Sequence, residues 1–72
     1  MKTCEISEII IGVRHRHDMG DIAALAESIR KIGLLNPPVV TRDGNLVAGA
    51  RRIAACLLLG RTHIPVSILE DQ

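Results

Sequence analysis

Val47-Ala48-Gly49-Ala50-Arg51-Arg52-Ile53-Ala54-Ala55 is the stretch on which the reading of this chain turns. The apolar run Leu46-Val47-Ala48 has strand character and stops at a glycine, and the run that follows has helical character and opens on two adjacent arginines. The first turn of a helix has N–H groups without intrahelical partners and carries the positive end of the helix dipole. Such an end binds anions, and a glycine beside it lets a phosphate approach the backbone. Arg51 and Arg52 add forked donors that match phosphate oxygens. The alternative is a pair of solvated surface side chains, but positive charge is disfavoured at a helix start, so the pair asks for a reason. Gly49, Ala50, Arg51 and Arg52 are therefore the candidate phosphate-binding residues.

Working outward, Arg42-Asp43-Gly44-Asn45 places Asp-Gly at the centre of a hairpin turn, joining a strand over Pro38-Val39-Val40-Thr41 to the return strand Leu46-Val47-Ala48. The second helix is expected over about Ala50 to Leu59, stopped by Gly60, with Ile53, Leu57 and either Ala54 or Leu58 facing the core. Ile64-Pro65-Val66-Ser67-Ile68 reads as a last strand, and Pro65 implies an edge or a strand start. Upstream, residues 21–32 give the clearest helix: Ile22, Leu25, Ala26, Ile29 and Ile32 form an apolar stripe. Asp18 or Asp21 is its N-cap, Glu27 and Lys31 pair on its wet face, and Gly33 closes it. Residues 4–13 read as an N-terminal strand ending at Gly12. The predicted order is β-α-β-β-α-β, a small α/β (α+β) fold.

With 72 residues the chain has room for one small domain, expected over 1–72 with its core at about 5–68. A domain of this size buries only about 60% of the surface its unfolded chain exposes. Phe, Tyr and Trp are absent, so aliphatic residues must fill the core, and a homodimer or attachment to a larger protein is expected. Hydrophobic content of 47% argues against disorder, and a net charge of +1 excludes a strongly basic nucleic-acid binder. Cys4 and Cys56 have no metal-type spacing and read as free thiols in a reducing cytoplasm. No apolar run approaches the ~20 residues of a membrane span, and residues 1–20 lack a signal-peptide pattern, so a cytoplasmic protein is expected.

Gly33-Leu34-Leu35-Asn36-Pro37-Pro38-Val39-Val40, then the hairpin, then Ala48 to Ala55, then Gly60 and Ile64-Pro65-Val66, resemble the ParB N-terminal domain of the ParB/sulfiredoxin fold, over about residues 5–68. The resemblance implies binding of CTP with Mg2+, as the clamp-closing switch of proteins that partition chromosomes or plasmids. It implies a base pocket lined by Gly33, Leu34, Leu35, Asn36 and Pro37, largely through backbone groups, and a triphosphate held by the second box. It also implies an arginine ahead of the first helix, with Arg14 the best match and Arg16 a close rival. Ala50 stands where the family usually has a glutamate associated with the metal–nucleotide unit, which puts hydrolysis in doubt more than binding. Sulfiredoxin has its reactive cysteine at that position, so its chemistry loses support too. The family's DNA-reading and dimerisation domains have no counterpart in these 72 residues, so DNA or a DNA-bound protein is expected as a partner through separate or missing domains.

Other candidates are weaker. His15 and His17 with His63 or Asp18 lack a third ligand at motif spacing, so no metal site is expected. Ser7, Ser28 and Ser67 have no base partner in the sequence, and no catalytic residue is assigned. Two further readings share the fold: a nuclease or phosphotransferase, for which Asp18, Asp21 and Asp43 are scattered, and a domain that contacts DNA phosphates directly.

Overall fold

The computed structural model describes residues 2–12 and 20–69. Its elements are β1 (Lys2–Glu5), a single 3-10 turn (Ile6–Glu8), α1 (Ile22–Ile32), β2 (Val39–Thr41), β3 (Leu46–Ala48), α2 (Ala50–Leu58) and β4 (His63–Leu69). The strands form one sheet in the order β1-β4-β2-β3, with β2 parallel to β4 and the other neighbours antiparallel. The mixed α+β architecture expected from the sequence is the one found.

Local chemistry sets the limits of α1. The Asp21 carboxylate accepts from the Ala24 N–H at 3.0 Å, which satisfies one of the donors a helix start leaves over. At the other end Gly33 takes a φ of +86° and its N–H donates to the Ile29 carbonyl at 2.8 Å. Glu27 bonds Arg30 as well as standing 3.9 Å from the expected Lys31, and the closer arginine holds its carboxyl below the usual range. Asp18, the alternative cap, lies outside the described residues, as do His15 and His17.

The β2–β3 hairpin turns on one positive φ, at Gly44 (+89°), rather than on both central residues. Gly44 N–H donates to the Thr41 carbonyl at 2.9 Å, and the Thr41 hydroxyl accepts from Asn45 N–H at 3.1 Å. Val39 faces Ala48 and Val40 faces Leu46, which leaves Val47 as a bulge.

The core gathers residues from every layer: Ile6 and Ile9 before the helices, Ile29 on α1, Ile53 and Cys56 on α2, and Ile64 on β4. Register puts Cys4 opposite Ile64 and Val40 opposite Ile68, so these share the inward face of the sheet.

Four expectations are corrected. The single strand over residues 4–13 is broken: β1 ends at Glu5, the 3-10 turn follows, and Ile10 forms an isolated parallel bridge with Asn45. Burying both Ile6 and Ile9, which point to opposite faces of a continuous strand, requires that turn. Ile32 does not join the core but is 63% exposed. On α2, Leu57 and Leu58 are exposed and Ile53, Ala55 and Cys56 are buried, because α2 turns the side that carries Ala55 and Cys56 inward. Pro65 lies in a strand with neighbours on both sides; pairing with β2 begins only at Ser67, so its missing N–H costs no bond on that side.

Candidate functional site

The start of α2 lacks what the start of α1 has. Gly49, in the left-handed region at φ +105°, offers no side-chain acceptor, and no acidic residue occupies the first turn. The carbonyl of Gly49 already accepts from Ile53 N–H at 3.1 Å. The N–H groups of Ala50, Arg51 and Arg52 thus open this helix with no side chain capping them. Gly49 is held there by packing: a Cβ on it would meet Pro38 Cα at 2.7 Å and Pro38 Cβ at 2.8 Å. Pro38 itself is buried, so the segment before β2 locks the corner that presents α2.

The two arginines part company. Arg51 is exposed and reaches back toward the approach to α1, where a Cβ on Gly20 would be 3.8 Å from its Nη2. Gly20 follows residues 13–19, so Arg14 and Arg16 lie outside the described residues. Arg52 is half-buried and walls a cavity of about 160 Å³. Among the described residues neither arginine is engaged in an ion pair.

That cavity brings the two distant sequence boxes together. Gly33, Leu34, Leu35 and Asn36 form one side, and Arg52 closes it from α2. Pro37 is half-buried and is not part of this wall, while Ala50 packs on the core. The remaining wall comes from α1, through Leu25, Ser28, Ile29 and Ile32. None of these four is among the site residues expected from the sequence. The available signal was Ser28, a hydroxyl beside Ile29 and between Leu25 and Ile32 at three- and four-residue spacing.

A second cavity, of about 200 Å³, lies near the hairpin and is lined by Cys4, Ile9, Val40 and Ile68 together with charged side chains of both signs. Cys4 is half-buried and Cys56 fully buried, and burial pushes the Cys56 thiol up against a smaller opposing effect of Arg61. Among the described residues no group of three or more His, Cys, Asp or Glu side chains is placed to hold a metal ion, and no helix among them is long and apolar enough to cross a membrane.

The sequence model of the ParB N-terminal domain matches residues 1–72. The chain belongs to the ParB N-terminal domain family. A probable plasmid-partitioning protein ParB of Thermus thermophilus is 40% identical over 58 residues, 76% of this chain and 20% of that protein. The ParB-like nuclease domain-containing protein YnaK of Escherichia coli is 34% identical over 54 residues, 75% of this chain and 62% of that protein. Among solved structures, a C-terminally truncated chromosome-partitioning protein ParB from Caulobacter crescentus, complexed with CTP-gamma-S, superposes with a TM-score of 0.77 at 25% identity, over 99% of this chain and 44% of that one. A Pnob8-like ParB-N domain, with a TM-score of 0.74 at 16% identity over 99% of this chain and 30% of that chain, shares the fold. This ParB N-terminal domain therefore spans from a fifth to just under two-thirds of the length of these four relatives.

Proposed function

We propose that this domain binds a nucleoside triphosphate, CTP carried with Mg2+, and serves as the nucleotide-responsive part of a partitioning or other DNA-associated protein. The observation that carries the reading is the position of Arg52. It stands in the uncapped first turn of α2 and at the same time walls the cavity formed by Gly33 to Asn36. One end of a nucleotide is anionic and the other is a neutral ring, and Arg52 stands where surfaces suited to each adjoin. The Caulobacter ParB relative, complexed with a CTP analogue, supports the choice of nucleotide.

The donor set fits a triphosphate. Backbone N–H groups of Ala50, Arg51 and Arg52 are aimed by the helix, the absent side chain at Gly49 leaves the backbone open, and the guanidiniums supply charge. Bound there, the nucleotide would supply the negative charge that draws Arg51 and Arg52 toward one ligand from their separate positions. The described residues offer no carboxylate cluster for a metal of the protein's own, so Mg2+ belongs with the phosphates and no step is assigned to it. In this reading residues 1–72 act as one domain, cytoplasmic, with DNA contacted by other domains or by a partner, and with self-association as a further expectation.

Equilibrium dialysis against CTP, ATP and GTP with Mg2+ tests the reading. The chain contains no Trp or Tyr, so retained nucleotide can be read directly by absorbance. Selective retention of CTP is expected. Retention of none would sink the proposal, and magnesium-dependent cleavage of DNA without nucleotide retention would favour the nuclease reading suggested by the name of the Escherichia coli relative.

A further inference from the structure

The second cavity, of about 200 Å³, shares no residue with the one walled by Arg52. The inward face of the sheet supplies its floor: Cys4, Val40 and Ile68 come from three different strands, and Ile9 joins them from the segment after β1. Two segments far apart in sequence supply its charges, Lys2 and Glu8 from the first, Arg42 and Asp43 from the hairpin turn. Backbone holds these segments together. Ile10 N–H donates to the Gly44 carbonyl at 2.8 Å, and a Cβ on Gly44 would lie 3.5 Å from the Glu8 carbonyl oxygen. The two sides of the cavity are thus tied to each other before anything binds, which lowers the ordering cost of binding.

Lys2, Glu8 and Asp43 line one cavity with opposite charges, yet none of them is in an ion pair among the described residues. Opposite charges that share a cavity without meeting leave room between them for a ligand that carries both signs. The apolar floor calls for a short apolar group on the same ligand. A volume below the roughly 300–1,000 Å³ of typical small-molecule sites restricts it to a few heavy atoms. A free α-amino acid with an aliphatic side chain has all three properties.

We propose that this cavity binds a small aliphatic α-amino acid. Lys2 takes the carboxylate, Glu8 and Asp43 take the ammonium, and the side chain lies against Cys4, Val40 and Ile68. The site is independent of the nucleotide reading.

The cavity carries its own reporter, because Cys4 lines it while Cys56 is fully buried. The test follows alkylation of Cys4 in the native domain by iodoacetamide, a neutral reagent, without nucleotide. The probes are L-valine, isobutyrate, which lacks the ammonium, and isobutylamine, which lacks the carboxylate. Valine is expected to slow alkylation about fivefold once it exceeds its dissociation constant several-fold, and to raise Tm. Neither analogue should do so. Lys2→Met keeps the apolar stem and loses the charge, so its Tm without ligand should match wild type while valine protection disappears. Glu8→Gln with Asp43→Asn should lose protection in the same way, and an Asn-Gly turn keeps the hairpin. Protection by isobutyrate equal to that by valine overturns the proposal and leaves a simple anion site. So does protection that survives in Lys2→Met, or a wild type in which valine changes neither the alkylation rate nor Tm.

Discussion

Gly49 and Pro38 are packed so closely that a single added methyl on Gly49 would lie 2.7 Å from Pro38 Cα. Backbone, not a flexible side chain, is what it would strike. Gly49 also holds φ at +105°, where a side chain is strained whatever space it finds. Gly49→Ala is therefore expected to cost roughly 2–4 kcal/mol, from strain and overpacking together. Urea unfolding would measure it, and a stability within about 0.5 kcal/mol of wild type would show that the corner is soft.

Replacing Arg51 and Arg52 by Ala should remove nucleotide retention and leave the fold intact. Arg51 is exposed and Arg52 half-buried, with no ion pair among the described residues, so the stability change should be within about 1 kcal/mol. Arg52→Ala should weaken binding more than Arg51→Ala, because only Arg52 also walls the cavity. An unfolded double variant would make the pair structural.

Ala50 opens α2 beside the proposed phosphate position. Introducing the acid that ParB-type sequences commonly have there, Ala50→Glu, should raise CTP turnover more than affinity. Phosphate release measured under saturating CTP checks this, and equal turnover in both proteins would remove the role from this position.

Asp21→Ala removes the acceptor of the 3.0 Å bond from Ala24 N–H. A loss of about 1 kcal/mol is expected, with Tm falling and nucleotide retention little changed. Asp21→Asn, which keeps an acceptor, should recover most of it.

Cys4 should react with a thiol reagent in the native state, and Cys56 only on unfolding. Burial raises the Cys56 pKa, so the folded state resists its ionisation. Stability from this source is fully present below the ordinary thiol value of about 8.5 and is lost as pH rises through the raised folded value. Melting from pH 7 to 11 should show that alkaline decline, reduced in Cys56→Ala relative to its own neutral stability.

What the sequence made legible was chemistry that acts over a few residues. Asp21 and Gly33 bound α1, Gly44 turns the hairpin and Gly49 precedes α2, each through bonds or dihedrals set by near neighbours. The hidden features depend on contacts between distant segments. Nothing in Ala54 to Leu58 says that Cys56 rather than Leu57 faces inward; the packing of α2 against α1 decides that. Pro65 could be placed in the interior of the sheet only by knowing that β2 joins two residues later. Ser28 looked like an ordinary helix-surface residue until the loop after α1 and the start of α2 were brought beside it.

The opening residues have a practical consequence for anyone trimming or fusing this domain. Lys2–Glu5 pair with β4 at one margin of the sheet, and five residues past Glu5, Ile10 donates to Gly44 at 2.8 Å and accepts from Leu46 at 2.9 Å at the opposite margin. One short stretch thus works as a hem stitched to both selvedges. Cutting it anywhere between would loosen the two sides together, so a tag inserted within residues 6–9 would do more harm than its distance from the helices suggests.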